Sequence, residues 1–373
     1  MSDTNEKMSF LEAETSFGLG VLQQFPLNES FVFSPLSIAL ALSLVHAGAE
    51  GETKKQIADA IFKGANDDQL KQHYSSLSSG LANPQKGVEV NIANKAFVRN
   101  NFPIKQTYLD AISKSYNATA QNLDFDKATE SAQIMNDFVK EQTRGKISEI
   151  VEADSIDSDT AAFLINALYL KADWQNEFSK SSTQDADFFT SENSQKKIPF
   201  LNDFNVHRDY AANDEVEVLS LKYKDPAYAF NIFLPKEKFG LAKFFKGMTA
   251  EKVQNLLKSV KNTYITVKIP KMKIETSQKL NDMLQKVGIT KVFTNSAQLD
   301  GISDVPLKVS DAMHKAMIEI DEQGVIASAA TSLHIRVRSR PIAEPIATRF
   351  IADHPFFFAV TYQNSILFAG THY

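Results

Sequence analysis

The sequence predicts an α+β fold, because helical and strand-like segments mix along its 373 residues without a regular strand–helix–strand rhythm. No Pro/Gly/Ser-rich linker, internal repeat or abrupt change of composition divides the chain. Hydrophobic residues make up 43% of it, which is enough to bury a large core. We therefore predict one domain over residues 1–373, although the length alone would suggest two or three.

The helical segments are clearest near the start of the chain. Apolar residues recur at helical spacing from Phe10 to Phe25, which predicts a first helix. A serine followed by proline at Ser34-Pro35 is typical of a helix start, and glycines at 48 and 51 end that helix before Thr53 opens the next one. Further helices are predicted at residues 251–260 and 279–287.

Strand-like segments dominate from residue 88 onward. Residues 88–98 alternate between apolar and polar side chains, and residues 162–174 form a longer apolar run that is typical of a buried central strand. Further strands are predicted, from β-branched and aromatic content, at residues 216–223, 228–235, 264–274, 356–362 and 365–370.

Composition excludes several classes of function. A net charge of -5 gives no overall basic excess for binding nucleic acid. Absence of cysteine excludes disulfides, thiolate catalysis and cysteine-ligated zinc. No apolar run approaches the roughly 20 residues that span a bilayer, and the polar start lacks the pattern of a secretory signal. We expect a cytoplasmic protein without a membrane partner, with unconventional secretion left open.

The motifs of common enzymes are missing. The sequence contains no G-x-S-x-G, H-E-x-x-H or P-loop pattern. Gly18-Leu19-Gly20 is half of a dinucleotide fingerprint, but it lies in the first predicted helix and lacks the third glycine. The seven histidines are scattered, and no pair has metal-ligand spacing. We predict no catalytic residue, metal or cofactor, and hence no enzyme.

The most informative segment runs from residue 322 to residue 341. Residues 325–331 are mostly small and uncharged and include no proline, so they could enter a sheet as a central strand, and Gly324 before them supplies a backbone hinge. Arg336, Arg338 and Arg340 follow at a spacing of two, which suits a protease pocket with an acidic group. Composition alone favours a plainer interpretation, an alanine-rich turn followed by a solvated basic patch.

The same segment resembles the reactive-centre loop of the serpins, whose hinge reads roughly E-E-G-T-x-A-A-A-A-T. The corresponding residues are Glu322, Gln323, Gly324, Val325, Ile326, Ala327, Ser328, Ala329, Ala330 and Thr331. Gln323 replaces a common Glu, Val325 a common Thr or Ser, and Ile326 a residue that is often polar. The uncharged, compact Val325 favours an inhibitory member of the family.

Other serpin motifs follow in the family's order from residue 31 to residue 370. They are Phe33 to Ile38 (F-S-P-x-S-I), the I-A-N of residues 92–94, Asn166 to Lys171 followed by Trp174 and Phe178, Val309-Ser310 followed by His314-Lys315-Ala316, Asp353 to Phe356, and residues 366–368. The resemblance implies an intracellular, ovalbumin-like serpin with about nine helices around three β-sheets and an exposed reactive-centre loop at about residues 322–349.

The resemblance also implies a mechanism. A protease attacks a bait bond and forms an acyl-enzyme, and the cleaved loop then inserts into the central sheet and traps the protease in a covalent 1:1 complex. In the family, the bait bond follows the residue that lies sixteen positions after the first hinge glutamate. Counting from Glu322, this residue is Arg338, so the implied bait bond is Arg338–Ser339. Arg336–Val337 stays an alternative, Arg340–Pro341 is a poor one, and the bait shifts toward Ile342 if the apparent extra length of residues 339–350 precedes the bond.

Further roles follow from matched positions. Ser34, Ser37, Asn166 and His314 match the family's shutter beneath the sheet's opening point, and Trp174 matches the breach, where insertion begins. Among residues 69–84 the only basic ones are Lys71 and His73, so we predict no strong heparin site.

The expected partners are proteases with Arg specificity, and the protein is expected to be a monomer. Trypsin-like targets are favoured, with papain-like cysteine proteases open. The alternative is a non-inhibitory serpin that acts as a carrier, storage protein or chaperone.

Overall fold

A computed structural model describes residues 2–62, 64–324 and 346–373. The predicted bait bond Arg338–Ser339, its alternatives at Arg336 and Ile342, and the hinge positions from Val325 to Thr331 lie outside the described residues. Within those ranges, no helix is both long and apolar enough to cross a membrane.

The described part of the chain contains nine α-helices and three short 3-10 helices. The α-helices are α1 (Ser2–Leu22), α2 (Pro35–Gly48), α3 (Gly51–Ile61), α4 (Asp67–Ala82), α5 (Gln106–Tyr116), α6 (Ala128–Gln142), α7 (Leu241–Lys246), α8 (Ala250–Ser259) and α9 (Asn281–Lys286). The 3-10 helices are Ala153–Ser155, Lys180–Ser182 and Lys291–Phe293. The helices predicted at residues 251–260 and 279–287 are confirmed within two residues at their ends. The first predicted helix is confirmed too, but it begins at Ser2, eight residues before the predicted Phe10, and ends at Leu22.

Fourteen strands occur in the same ranges. They are β1 (Phe31–Phe33), β2 (Val88–Arg99), β3 (Thr119–Leu123), β4 (Ala162–Ala172), β5 (Gln184–Ser191), β6 (Ser194–Ala212), β7 (Val216–Lys222), β8 (Tyr228–Pro235), β9 (Lys261–Pro270), β10 (Met272–Lys279), β11 (Asp311–Ile320), β12 (Thr348–Ile351), β13 (Phe356–Tyr362) and β14 (Ser365–His372). The single strand predicted at residues 264–274 was wrong: β9 ends at Pro270 and β10 begins at Met272, because the chain passes here from the larger sheet to the five-stranded one.

A five-stranded sheet forms the centre of the structure, in the order β10-β11-β4-β2-β3. β10 and β11 are antiparallel, and so are β4 and β2. β11 and β4 are parallel neighbours, and so are β2 and β3. The boundary between β4 and β11, which we term the seam, therefore joins two strands that run in the same direction.

The larger network of strands runs in the order β1-β14-β13-β8-β7-β6-β9-β12, with β5 paired to β6. The long strand β6 carries an irregularity between Asp203 and Val206, and Asn205 within it has a left-handed backbone with φ of 56°. A bulge bends a strand and increases its twist. By hydrogen bonding, the described strands form two sheets, one of nine strands and one of five, and the irregularity in β6 lies within the larger sheet.

Two hydrophobic clusters cover opposite faces of the five-stranded sheet. Leu164 and Leu168 of β4 point into the larger cluster together with α2, whose side chains are almost all buried. Phe163 and Ile165 point into a second cluster with residues of α6, such as Met135. Because β4 is covered on both faces, its residues form a continuous apolar run, as the sequence predicted.

Candidate functional site at the seam of the central sheet

The seam is paired over only part of its length. The parallel register runs from Asp311 opposite Phe163 to Met317 opposite Tyr169. Beyond that point β4 continues to Ala172 and β11 to Ile320 without pairing to each other. One end of the seam is therefore already open between the two strands.

A row of polar side chains crosses the sheet at the middle of the paired stretch. Asn166 of β4 lies opposite His314 of β11 on one side and opposite Asn94 of β2 on the other. Its side-chain amide donates to Asn94 Oδ1 and to Ser37 at the start of α2, both to the backbone oxygen at 3.0 Å and to Oγ at 2.5 Å. Asn166 thus connects three strands with the helix beneath them.

His314 is fully buried, and its two ring nitrogens have different roles. Nε2 accepts a hydrogen bond from the backbone N–H of Ser34 at 3.0 Å, so it carries no proton. Nδ1 lies 2.5 Å from Asn166 Oδ1 and must be the nitrogen that donates. Only the neutral imidazole satisfies both contacts.

Burial supports the same assignment, because it lowers the pKa of His314 to about 3, and the hydrogen bond to Asn166 only partly opposes this effect. A histidine that stays neutral through the physiological range, with both nitrogens occupied, does no acid–base chemistry there. The sequence-based expectation of a satisfied structural histidine agrees with this geometry.

Ser34 is the N-cap of α2, and it connects the cluster to the larger sheet. Its Oγ accepts from the backbone N–H of Ser37 at 3.1 Å and donates to the carbonyl of Leu367 in β14 at 2.5 Å. The four residues predicted as the shutter, Ser34, Ser37, Asn166 and His314, are all at most 1% exposed and in mutual contact.

At the open end of the seam, Trp174 is buried directly beyond the end of β4. Its indole N–H donates to the carbonyl of Asp321 at 2.9 Å, and its backbone N–H donates to the carbonyl of Gln323 at 2.8 Å. The ring stacks on Tyr223 with 4.6 Å between centroids. Trp174 therefore attaches the start of the predicted hinge to the top of β4.

Glu322 is anchored at the same end. Its carboxylate accepts from Lys271 Nζ at 2.9 Å and from Thr183 Oγ1 at 2.7 Å. Burial alone would raise the pKa of Glu322, but these two hydrogen bonds outweigh burial and lower it. The carboxylate is consequently charged at neutral pH, and it connects the hinge to β9, β10 and the segment before β5.

Gly324 ends the described part of the hinge in a backbone conformation that other residues avoid. Its φ is 125°, and a Cβ at this position would lie 2.1 Å from the carbonyl oxygen of Ala172. Asp321 Oδ1 accepts from the backbone N–H groups of Gln323 and Gly324 at 2.9 and 3.0 Å. This turn reverses the chain after β11 and forms an antiparallel bridge between Gly324 and Asp173.

Sequence reasoning missed three residues that contact these positions. Asn94 was part of a matched motif but was assigned no role, although it receives a hydrogen bond from Asn166. Lys271 and Thr183 hold Glu322, and no local pattern distinguishes them from other surface residues. Only the folded arrangement brings residues 183, 271 and 322 together.

Fold and seam together define an α+β protein whose central sheet has a parallel pair held by a buried polar cluster and open at one end. Comparison with known proteins identifies the family. Residues 12–373 match the family described as Serpin (serine protease inhibitor), and the chain belongs to it.

Individual relatives match over most of their length. Serpin B4 of Homo sapiens is 31% identical over 97% of this chain and 98% of its own. Antichymotrypsin-2 of Bombyx mori is 31% identical over 92% of this chain and 91% of its own. Among solved structures, Serpin48 of the insect Tenebrio molitor superposes with a TM-score of 0.89 at 28% identity, covering 98% of each chain.

The buried His314 should make stability depend on pH. Its pKa of about 3 in the folded protein lies below the ordinary value of 6.5, so between those values the unfolded chain binds one more proton and stability falls as the pH falls. His314→Gln removes this titration. We expect the slope of unfolding free energy against pH, between pH 6 and 4, to decrease by up to about 1.4 kcal/mol per pH unit.

Urea unfolding at several pH values measures this slope. An unchanged slope in the His314→Gln protein would contradict the assignment of a neutral imidazole at the seam.

The geometry at Gly324 gives a second prediction. Gly324→Ala would place a methyl group against the carbonyl of Ala172 in addition to the unfavourable φ. Gly145→Ala is a matched control, because Gly145 also has a positive φ, 75°, but no atom within 4 Å of its Cβ position. We expect Gly145→Ala to cost about 1–2 kcal/mol and Gly324→Ala to cost more.

The fluorescence emission of Trp174, the single tryptophan of the chain, reports whether the substitution changes the structure near the hinge. Gly324→Ala should shift this emission to longer wavelength because the hinge separates from β4, and Gly145→Ala should leave it unchanged. Equal costs and equal spectra in the two variants would show that the close contact at Gly324 is not a constraint.

Proposed function

We propose that this serpin inhibits proteases by the trapping mechanism and that residues 1–373 act as one domain. One observation carries the proposal: the antiparallel bridge of Gly324 to Asp173 at the open end of the seam. A strand that follows β11 through a tight turn and enters between the parallel β4 and β11 runs antiparallel to both. The backbone of Gly324 has that direction and lies at that end of the seam.

The exchange of pairing favours insertion. Separating β4 from β11 breaks one parallel ladder, and an added strand makes two antiparallel ones, which are slightly more stable per residue. Small, uncharged side chains at residues 325–331 suit a strand that is buried on both faces. The proposed hinge therefore has the composition that a strand between β4 and β11 requires.

Opposing contacts keep the seam closed before cleavage. Asn166 and His314 bridge β4 and β11 in the buried cluster. On the opposite face, Lys315 of β11 donates to the carbonyl of Glu149 at 2.9 Å, in the segment that follows α6. Insertion has to break or rearrange these contacts, which would hold the uncleaved form in place kinetically.

We propose Arg338–Ser339 as the bait bond and trypsin-like serine proteases as the main targets, with papain-like cysteine proteases as a second class. Arginine binds an acidic specificity pocket through paired hydrogen bonds. The names of relatives such as Antichymotrypsin-2 of Bombyx mori refer to protease inhibition. The shutter and breach roles of the seam residues form part of the same proposal.

Incubation with trypsin followed by denaturing electrophoresis tests the mechanism and the bait residue together. We expect a covalent band that contains both proteins, and a released peptide that begins at Ser339. Arg338→Gln should reduce the second-order rate of complex formation by at least a hundredfold, because the specificity pocket loses its cation. Arg336→Gln is the matched control and should stay within about threefold of wild type. Cleavage of the wild type without a complex would instead favour a non-inhibitory serpin.

A charge in the hinge should convert the inhibitor into a substrate. Val325→Arg would have to bury an unpaired cation in the sheet on insertion, which costs several kcal/mol. We expect normal cleavage at the bait bond but a covalent yield below a tenth of wild type. Ile346→Arg adds the same charge at a position that is 99% exposed, and it should leave the yield unchanged. Equal yields in both variants would contradict insertion.

A further inference from the structure

His372, the last residue of β14, is a buried histidine outside the seam. Its side chain belongs to a residue that is 6% exposed, and both ring nitrogens are buried. Among the described residues, neither of these nitrogens has a hydrogen-bond partner. His314, by contrast, has both ring nitrogens occupied. Buried polar groups in proteins are almost always paired, so the imidazole of His372 requires a separate explanation.

The ring of His372 packs against two phenylalanines from other strands. Phe188 of β5 contacts it edge to face with 4.9 Å between centroids, and Phe356 of β13 lies at 5.4 Å. Both phenylalanines are fully buried. We term this three-ring contact the latch, because it joins the end of β14 to the β5–β6 hairpin. Its apolar walls suit an uncharged ring and would penalise an ion.

The charged side chain that acts on the latch is a cation. Lys196 of β6 lies opposite Phe188, with Nζ 5.3 Å from the centre of the Phe188 ring, and it donates to the main-chain oxygen of Tyr373. The other groups at this end, the Ser30 hydroxyl and the Tyr373 phenol, carry no charge in acid. Burial is the larger cause and Lys196 the smaller one that together lower the pKa of His372 to about 3.

The latch lies where two ladders end. β14 pairs with β13 and with β1, and the outermost pair of each ladder contains His372 or Thr371. Beyond them, the Tyr373 N–H donates to Ser30 Oγ at 2.9 Å. Pairs at the end of a ladder open locally at a much lower free energy than pairs in the core. Water can therefore reach the His372 ring when these few pairs separate, without unfolding of the sheet.

We propose that His372 makes the latch acid-sensitive: the neutral ring closes the end of β14 onto the β5–β6 hairpin, and protonation of the ring releases that end. The closed ring takes up a proton only near pH 3, whereas a hydrated histidine does so near its ordinary pKa of 6.5. Between these two values the open latch binds one proton more than the closed latch. The ratio of open to closed latches therefore rises as the pH falls, by up to about tenfold per pH unit.

Hydrogen exchange of the full-length protein between pH 7 and 4, read by mass spectrometry, tests the latch. After correction for the intrinsic exchange rate, we expect the protection of residues 371–373 to fall by up to about tenfold per pH unit below pH 6.5, while peptides from β4 keep theirs. His372→Phe keeps a ring that cannot be protonated, and His372→Leu is a smaller replacement in case phenylalanine does not fit. Both variants should lose the pH dependence at residues 371–373.

His46 supplies the matched control, since it is also buried, and burial is the main cause that lowers its pKa, but it lies at the end of α2. His46→Gln should leave the acid response of residues 371–373 as in the wild type. Protection of these residues that does not change with pH, or that falls equally in the His372→Phe and His372→Leu proteins, overturns the proposal. So does a loss of protection in β4 over the same pH range, because the opening would then be global.

Release of the latch would also expose the rings of Phe188 and Phe356, which gives an independent readout. Fluorescence of the apolar dye 8-anilinonaphthalene-1-sulfonate should rise at least twofold between pH 7 and pH 4 in the wild type and in His46→Gln, but not in His372→Phe. The emission of Trp174, which is buried at the open end of the seam, should stay unchanged over this range. A dye signal that appears only together with a shift of Trp174 emission would mean that the whole sheet opens and that the latch is not a separate device.

Discussion

The hydrogen-bond balance of the Asn166 amide is the constraint on which the closed sheet depends. Its two N–H groups face three acceptors, the Ser37 backbone oxygen, Ser37 Oγ and Asn94 Oδ1, and its oxygen accepts from His314. A buried amide that loses these partners costs about 1–3 kcal/mol for each group left unsatisfied. Separating β4 from β11 therefore costs more than the ladder alone, unless the cluster finds new partners in the widened sheet.

The middle and the open end of the seam are held by different kinds of interaction. At the middle, where the side chains are fully buried, every group is neutral, and burial keeps His314 so. At the open end, which is closer to solvent, Glu322 is paired with Lys271, whose side chain is one-third exposed. A buried charge would be costly at the middle, whereas a partly solvated ion pair is tolerable at the end. The seam is thus neutral and ordered inside, and more easily parted at the end where the hinge begins.

Much of the fold could be predicted from local patterns. The continuous apolar run of β4 and the Ser-Pro start of α2 have direct physical causes, burial on both faces and an N-cap, and both are confirmed. Prediction of a single strand across residues 264–274 was wrong because strand-forming residues continue on both sides of Lys271, where the chain passes from one sheet to the other. The four seam residues were identified by resemblance, and their mutual contacts could not be derived from one sequence, since they come from segments up to 280 residues apart.

The attachment of the hinge to the end of β4 determines where the proposed insertion would begin after cleavage of the bait bond. Among the described hinge residues 322–324, Gly324 has a positive φ and contacts the end of β4, and Trp174, Asp321 and Glu322 fix the turn before it. Under the proposed mechanism, a loop held at this origin would enter the sheet from that end, one residue pair after another. Insertion that starts at Gly324 meets the unpaired ends of β4 and β11 first and the Asn166–His314 cluster only after several pairs have formed. Under the proposed mechanism, the early pairs would therefore supply the free energy needed to open the cluster, and polar contacts at the middle of the seam would be met only after that free energy had been gained.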